Sequence, residues 1–213
     1  MTTRGIRRKK SSLTEVKIAV CGAQCVGKSA LSVRFLTKRY IGEYDHQTEN
    51  RYRHEAMVDG EPVLFEILDT CPKVSRSYIL ILKKKKNNKK KNWADGILLV
   101  YSITDRQSFN YIKRAKIEIP SDIPVSLVGN KVDMIHLRQV SADEGDILAK
   151  DFDCKFSELS AAEHVLQVAD VFHELCRDVL SARRKSKLGL LDRMLGGTRV
   201  YARGKSDSAL PKD

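Results

Sequence analysis

A glycine-rich octapeptide, Gly22 to Ser29, constrains the possible folds of this chain more than any other stretch of its sequence. The octapeptide, GAQCVGKS, matches the pattern G-x-x-x-x-G-K-[ST]. An apolar run typical of a buried strand, VKIAVC at 16–21, precedes it, and a helical pattern follows it to about Arg39. In this strand–loop–helix context the pattern predicts a phosphate-binding loop, in which backbone N–H groups surround the anion.

The residue types of the octapeptide predict how it contacts a phosphorylated ligand. The glycines let the backbone wrap around phosphate oxygens, Lys28 brings a positive charge to the β and γ phosphates, and the Ser29 hydroxyl suits Mg²⁺. The alternative, a glycine turn beside a surface lysine, is disfavoured by the strand and the helix on either side. The residues of this segment that we predict to contact a nucleotide are Gly22, Gln24, Cys25, Val26, Gly27, Lys28, Ser29 and Ala30.

Strand and helix patterns alternate along the rest of the chain. Two strand-like runs flank the turn dipeptide Asp59-Gly60 and predict a hairpin. The other predicted elements are strands at 96–103, 124–130 and 154–159 and helices at about 105–117, 141–151 and 163–183. Continuous apolar strands that alternate with helices predict an α/β fold, with a mostly parallel sheet covered by helices on both faces.

A second motif, NKVD at Asn130 to Asp133, directly follows a predicted strand and points to the nucleotide base. The Asp133 carboxylate can accept two hydrogen bonds from the ring N1–H and the exocyclic amine of guanine, and adenine presents no such pair of donors. The alternative is a charged turn, which the placement after a strand disfavours. The tripeptide Ser160-Ala161-Ala162 is a weaker candidate to place a backbone N–H at the base carbonyl. The sequence therefore predicts a guanine-nucleotide site.

The net charge of +12 is concentrated outside the predicted folded body. The first ten residues hold five basic side chains, 74–91 hold eight, and 181–213 hold nine against three acidic ones. The remaining sequence is net negative, so a basic groove for nucleic acid on the folded domain is not expected. The predicted division is a basic tail at 1–14, one domain at 15–181 and a second basic tail at 182–213.

The predicted location is the cytoplasm, with the nucleus and a membrane surface contacted through the basic tails as alternatives. No run of about 18 apolar residues is present, so no transmembrane helix is expected, and the N-terminus lacks the apolar stretch of a secretory signal. Five scattered cysteines fit a reducing compartment better than a disulfide framework. The C-terminus has no C-a-a-X motif, so a prenyl anchor is not expected. If the tail is helical, an apolar stripe suited to weak membrane or partner contact forms from Leu188, Leu191, Met194 and Leu195.

Taken together, these motifs resemble the Ras superfamily of small GTPases. The segments KSALSVRFLTKRYIGEYD, ILDT, WADGILLVYSITDRQSF and LVGNKVDM extend the resemblance over about residues 15–180. The first segment is most similar to the Ras-like branch that includes the estrogen-regulated growth inhibitor. The resemblance implies a P-loop NTPase fold with a six-stranded sheet and five helices, binding of GTP and GDP with Mg²⁺, and slow hydrolysis. It also implies effector, exchange-factor and activating proteins as partners.

The resemblance assigns roles to further residues. Tyr40 stands where the family has an aromatic ring that packs on guanine, and Asp69 matches the residue that reaches Mg²⁺, usually through water. With Ser29, Asp69 is therefore a predicted metal-site residue. The residues that match the base-binding segments are Asn130, Lys131, Asp133, Ser160 and Ala161, with Ala162 next in the chain.

The parts that the family uses for hydrolysis depart from its pattern. Gln24 and Cys25 occupy two positions that Ras fills with glycine, where a side chain can crowd the attacking water or an arginine from an activating protein. Counted without gaps from Lys28, Gln47 falls where a threonine normally meets Mg²⁺ and the γ-phosphate. Thr48 lies one place later, so either the backbone shifts by one residue or this metal contact is lost.

The residues from Cys71 to Asn92, which we call the second switch because the family has a mobile segment here, depart further. The family pattern Ala-Gly-Gln is replaced by Cys71-Pro72-Lys73. Pro72 has no N–H to give the γ-phosphate, and a charged Lys73 cannot accept a hydrogen bond from the attacking water. We therefore predict GTP binding with weak intrinsic hydrolysis and assign no catalytic residue. The alternative is that other groups reach a similar geometry.

Within the second switch, residues 74–91 read VSRSYILILKKKKNNKKK. The residue types of this tract can be written with A/T-rich codons, and Val74-Ser75 is what the splice-donor hexamer GTAAGT encodes. We favour a translated intron or a mispredicted exon boundary. The alternatives are a disordered insert and a basic loop that binds phosphoinositide or RNA.

Three functions are compatible with this sequence. The first is a Ras-like GTPase that hydrolyses GTP slowly as a signalling switch. The second is an interaction module that holds a guanine nucleotide with little or no hydrolysis, because both switches are altered. The third is an ATP-using P-loop enzyme, which Asp133 disfavours.

Overall fold

The computed structural model describes residues 13–44, 48–71, 83–86, 89–115 and 119–195. By its contacts the chain divides into two compact units, residues 1–180 and residues 181–213. The sheet and the candidate site belong to the first unit. A bilayer-spanning helix is absent from the part of the chain that the structure describes.

The strands are β1 (Thr14–Gly22), β2 (Asn50–Val58), β3 (Glu61–Asp69), β4 (Lys83–Lys86), β5 (Lys89–Asn92), β6 (Gly96–Ser102), β7 (Val125–Asn130) and β8 (Lys155–Leu159). Six of them form the central sheet in the order β2-β3-β1-β6-β7-β8. Every neighbouring pair in this sheet is parallel except β2 and β3, which are antiparallel. The predicted mostly parallel, six-stranded sheet is confirmed.

The hairpin between β2 and β3 turns at the predicted dipeptide. Asp59 and Gly60 both have positive φ, at 51° and 81°. A two-residue turn of this hand matches the twist of the flanking strands, which explains why an Asp-Gly pair predicts it.

The helices are α1 (Lys28–Thr37), α2 (Arg106–Ala115), α3 (Ala142–Phe152) and α4 (Val165–Leu195), and a 3₁₀ helix covers Val132–Leu137. Three predicted boundaries, in the first and last helices, were wrong by more than a residue. The first helix ends two residues before Arg39, because Lys38 takes a left-handed conformation, with φ of 60°, and ends it. The last helix begins at Val165 rather than 163 and runs to Leu195 rather than 183. The basic residues after 183 favour helix, and the helix ends directly before Gly196 in the sequence.

Both faces of the sheet are covered by apolar side chains. Along β1, Val16 and Ile18 face one core and Ala19 and Cys21 face the other, as the alternation of side chains in a strand requires. All seven residues of β6 are buried. A central parallel strand must be apolar on both sides, which is why its sequence reads as a continuous apolar run.

Aromatic rings from the helices and from β6 pack in the two cores. On one face, Phe35 of α1 stacks on Phe172 of α4 with ring centroids 4.4 Å apart. On the other face, Tyr101 of β6 meets Phe109 of α2 edge to face at 5.0 Å, and Trp93 is buried there as well. These contacts pack α1 against α4 on one face and α2 against β6 on the other.

The lysine-rich tract contains a separate antiparallel ribbon. β4 pairs with β5 so that Lys83 lies opposite Asn92 and Lys86 opposite Lys89. The rest of the tract, 74–82 and 87–88, lies outside the described residues. That the tract derives from a translated intron stays a prediction.

Candidate nucleotide-binding site

The loop between β1 and α1 requires glycine at two positions. A Cβ on Gly22 would lie 2.2 Å from the carbonyl oxygen of Val100, and a Cβ on Gly27 would lie 2.2 Å from Nδ2 of Asn130. Gly27 also has φ of 95°, a conformation that other residues rarely adopt. The first and last glycines of the motif are thus needed for close approach of the backbone to β6 and β7.

Lys28 is buried at the start of α1, and its amine lies within the loop. Its Nζ donates a hydrogen bond to the carbonyl of Ala23 at 2.7 Å. Burial lowers the pKa of the Lys28 amine, and the Asp69 carboxylate acts in the opposite direction. A cation held by the loop backbone in this way is placed to meet phosphate oxygens that occupy the loop.

The loop and the ends of two neighbouring segments line one cavity, which we call the phosphate pocket. Its lining residues are Gln24, Cys25, Gly27, Lys28, Ser29, Ala30, Tyr44, Thr48, Asp69, Thr70 and Cys71. Both predicted metal-site residues, Ser29 and Asp69, are among them. A hydroxyl and a carboxylate are hard oxygen donors of the kind that Mg²⁺ takes beside phosphates, so the donor set fits this metal. The Thr48 hydroxyl is also part of the lining, whereas Gln47 lies outside the described residues.

Asn130 joins the phosphate loop to the loop after β8. Its Nδ2 donates to the carbonyl of Val26 at 2.9 Å, and its Oδ1 accepts from the N–H of Ala161 at 3.0 Å. The side chain is buried, with 2% of its surface exposed. One amide therefore fixes the distance between two loops more than 130 residues apart in sequence.

The other residues of the NKVD motif begin the 3₁₀ helix. Lys131 precedes that helix in a left-handed conformation, with φ of 72°, and Asp133 lies in its first turn. Asp133 is exposed to solvent. A carboxylate that projects from a turn next to Asn130 is available to a ligand bound across the same edge of the sheet.

We call Ser160–Ala162 the base loop; it is held by its own hydrogen bonds. The Ser160 N–H donates to Nδ1 of His164 at 3.1 Å, and the Ala162 N–H donates to the Ser160 hydroxyl at 3.1 Å. The Ala161 N–H, which was a candidate donor to a base carbonyl, donates to Asn130 in this structure. Whether it also serves a base stays a prediction.

The sequence that carries these loops matches a known protein family. The sequence profile of the Ras family matches residues 17–181. The chain belongs to the Ras family. This confirms the resemblance seen in its motifs.

Relatives within the Ras family match most of the chain. The Ras-related and estrogen-regulated growth inhibitor of Bos taurus is 42% identical over 191 residues, which is 87% of this chain and 91% of that protein. Ras-like protein family member 11B of Danio rerio is 41% identical over 169 residues, or 77% of this chain and 69% of that protein. The growth inhibitor-like protein of Bos taurus is 40% identical over 179 residues, or 79% and 85%.

In this Ras-family chain, the residue directly before the second switch is anchored to β1. The Thr70 hydroxyl donates to the carbonyl of Val20 at 2.8 Å, and Cys71 is buried. Pro72 and Lys73, which carry the prediction of weak hydrolysis, lie outside the described residues. Gln24 and Cys25 are described, and both are exposed and line the phosphate pocket.

Sequence reasoning missed one residue that contacts two parts of the site. Arg34 of α1 is buried and donates hydrogen bonds to carbonyls of the base loop. Its guanidinium also lies over the ring of Tyr40, 5.7 Å from the centroid. The sequence analysis assigned no role to Arg34, because its acceptors at Ala161 and Ala162 lie far away in the sequence.

Proposed function

We propose that this Ras-family chain binds GTP and GDP with Mg²⁺ and hydrolyses GTP slowly as a signalling switch. The observation that carries the proposal is the Asn130 side chain, whose two hydrogen bonds hold the phosphate loop and the base loop in one arrangement. A ligand with phosphates at one end and a base at the other would contact both loops. The Asp133 carboxylate then favours guanine over adenine, since guanine alone offers the N1–H and amine pair.

The phosphate end of the ligand would contact α1 and the loop before it. Lys28 would neutralise phosphate charge, and backbone N–H groups at the helix N-terminus would donate to the oxygens. Ser29 and Asp69 would hold Mg²⁺, which would neutralise phosphate charge when bound. The Thr48 hydroxyl, which also lines the phosphate pocket, supports a further contact to this metal.

Slow hydrolysis follows from the residues around the γ-phosphate position. Phosphoryl transfer in such sites depends on positioning and electrostatics rather than on covalent chemistry. Gln24 and Cys25 place side chains where water and an incoming arginine need room, and Pro72 and Lys73 lack the groups that the family uses. We propose that binding is retained and turnover is reduced.

The second candidate function is a nucleotide-bound interaction module with little or no hydrolysis. The exposed side chains of Gln24 and Cys25 in the phosphate pocket favour it. An effector would then read one persistent nucleotide state rather than a cycle. Exchange factors, activating proteins and effectors are the proposed partners in the first case, and effectors alone in the second. The proposed location is the cytoplasm, with peripheral membrane contact through basic tails as an alternative.

The test of nucleotide choice uses the base-reading carboxylate. We expect wild-type protein to bind GDP more tightly than ADP, and the Asp133→Asn variant to lose affinity for GDP and gain affinity for xanthosine diphosphate. The reason is that an amide donates where the carboxylate accepts, and xanthine presents a carbonyl there. Isothermal titration with the three nucleotides measures this.

Asp122→Asn, an equal change of charge at an exposed loop position, is the matched control. It should leave all three affinities unchanged. A wild-type protein that binds ADP as tightly as GDP would contradict the proposal and favour the ATP-using alternative.

A further inference from the structure

Arg34 is an arginine in an unusual place for this residue type. It lies in the last turn of α1 with 8% of its surface exposed. Arginine is almost never this buried unless its donors are satisfied. The groups to which Arg34 donates hydrogen bonds therefore indicate its role.

All three nitrogens of the Arg34 guanidinium donate to backbone carbonyls. Nε donates to Ala161 at 2.7 Å, Nη2 donates to Ala162, and Nη1 donates to Lys38 at 3.1 Å. Two of these acceptors belong to the base loop and the third to the residue that ends α1. The planar guanidinium thus joins the base loop to the end of α1.

The same side chain also fixes the exit of the chain from α1 towards Tyr40. The Lys38 N–H donates back to the carbonyl of Arg34 at 2.8 Å, so both sides of Lys38 are bonded to Arg34. Two residues on, the Tyr40 ring lies 5.7 Å from the guanidinium, within the range of a cation–π contact. Tyr40 is 49% exposed, so its ring keeps surface for a further contact.

We propose that Arg34 is a positioning residue that couples the base loop to the Tyr40 segment, residues Lys38 to Tyr44, and so sets guanine preference and the rate of nucleotide release. The inference rests on the proposed function, since it concerns the base end of the same site. Arg34 does not touch the nucleotide. It holds the two surfaces that do, so movement of the Tyr40 segment strains the base loop through the shared guanidinium.

The coupling also suggests how release is triggered. A partner that pulls the Tyr40 segment away removes the Lys38 carbonyl and the Tyr40 ring from Arg34 together. The Ala161 and Ala162 carbonyls of the base loop are then no longer held by a fixed guanidinium. Guanine is released because both of its contacts loosen in one event.

The test compares ligands that share phosphates and differ in the base. In the Arg34→Gln variant we expect GDP affinity to fall about tenfold and ADP affinity to change by less than about twofold, since only guanine uses the base loop. Release of fluorescent GDP, chased with unlabelled GDP, should be about tenfold faster. Arg34→Lys should not restore binding, because one ammonium cannot replace three donors in a planar fork. Arg114→Gln, at an exposed position of α2 away from the candidate site, is the matched control.

The outcomes separate this inference from the proposed function. If wild-type protein shows no preference for GDP over ADP, the proposed function fails. If wild type prefers GDP and Arg34→Gln keeps that preference, or loses both ligands equally, the positioning role of Arg34 is wrong. Because affinities are read on the folded fraction, partial unfolding of the variant does not imitate a change in their ratio.

A double-mutant cycle tests the coupling itself. Tyr40→Ala and Arg34→Gln are combined, and GDP release is measured for both single variants and the double variant. If the two segments act as one unit, the double variant releases GDP more slowly than the product of the single effects predicts. Multiplicative effects would show that Arg34 and Tyr40 act independently and would overturn the coupling.

Discussion

The base side of the site contains Arg34, Asn130 and the base loop, and its catalytic side contains Gln24, Cys25 and the second switch. On the base side, buried side chains satisfy the backbone groups of two distant loops with hydrogen bonds of 2.7 to 3.0 Å. On the catalytic side, two side chains stand in the phosphate pocket at positions that Ras itself fills with glycine. The departures from the Ras pattern are thus concentrated around the proposed γ-phosphate position rather than around the proposed base-binding loops.

Under the proposed function, this difference makes binding and turnover separable in this chain. Guanine recognition would depend on residues that also support the fold, because Asn130 is buried and bonds two loops. Hydrolysis would instead depend on small residues and backbone N–H groups around the γ-phosphate position. Substitutions can therefore accumulate around the γ-phosphate position without loss of the folded nucleotide site.

The largest effect is expected from Lys28→Ala, which removes the cation shared by all phosphate ligands. We expect the affinity for GDP and for ADP to fall about 100-fold alike, since a charged hydrogen bond is worth up to about 3 kcal/mol. Isothermal titration measures both. Lys187→Ala, on an exposed helical surface, is the control. A loss of affinity confined to GDP would mean that Lys28 acts on the base rather than on the phosphates, and it would contradict the division of the site into two sides.

Asn130→Ala should lower both stability and guanine binding. Two buried partners, the Val26 carbonyl and the Ala161 N–H, lose their hydrogen bonds, at about 1–3 kcal/mol each. Denaturant unfolding should therefore show a drop of about 3 kcal/mol in the free energy of unfolding. Asn110→Ala, at a partly exposed position of α2, provides the comparison. An unchanged midpoint would mean that the two loops are held together by other contacts.

The origin of residues 74–91 decides how much of the catalytic side belongs to the native protein. We expect the native transcript, sequenced across codons 69–95, to lack the codons for Val74 to Lys91. The splice-donor match at Val74-Ser75 and the return of family-like sequence at Trp93 motivate this prediction. A translated tract would instead mean that the second switch is replaced, and the module without turnover becomes the leading function.

The smallest effect concerns the exposed thiol of Cys25 in the phosphate pocket. Burial raises the pKa of the Cys21 thiol to about 12 and that of Cys154 to about 11, while Cys71 and Cys176 are buried and Cys25 is exposed. Iodoacetamide at neutral pH should therefore label native protein once, at Cys25. Bound GDP should slow the labelling, and Cys25→Ser should abolish it. Fast labelling at a second cysteine would show that the pocket opens more than the structure indicates.

Much of the fold could be predicted from the sequence because its signals are local. The continuous apolar run of β6 predicts a strand buried on both faces, and Asp59-Gly60 predicts its hairpin from two residues. The end of α1 was missed because Lys38 is a lysine in a left-handed conformation that sequence assigns to glycine. The length of α4 was underestimated because a basic tail segment with good helix propensity was assigned to the tail rather than to the helix.

The site was predicted in part, for a similar reason. Motifs identify Lys28, Asn130 and Asp133 because each lies in a short segment whose residue pattern is fixed in the family. Arg34 could not be predicted, since its acceptors at Ala161 and Ala162 lie 127 and 128 residues away. Such a contact exists only once the sheet has brought α1 beside the loop after β8.

The most direct measurement is single-turnover hydrolysis of GTP bound to purified protein with Mg²⁺. Protein is loaded with GTP, free nucleotide is removed, and released phosphate and retained nucleotide are followed over hours. We predict that GTP stays bound while phosphate release is slower than about 10⁻⁴ s⁻¹, below the intrinsic rate of Ras itself. Phosphate release at or above about 10⁻³ s⁻¹ without any partner would contradict a site that binds guanine nucleotide and has lost most of its turnover.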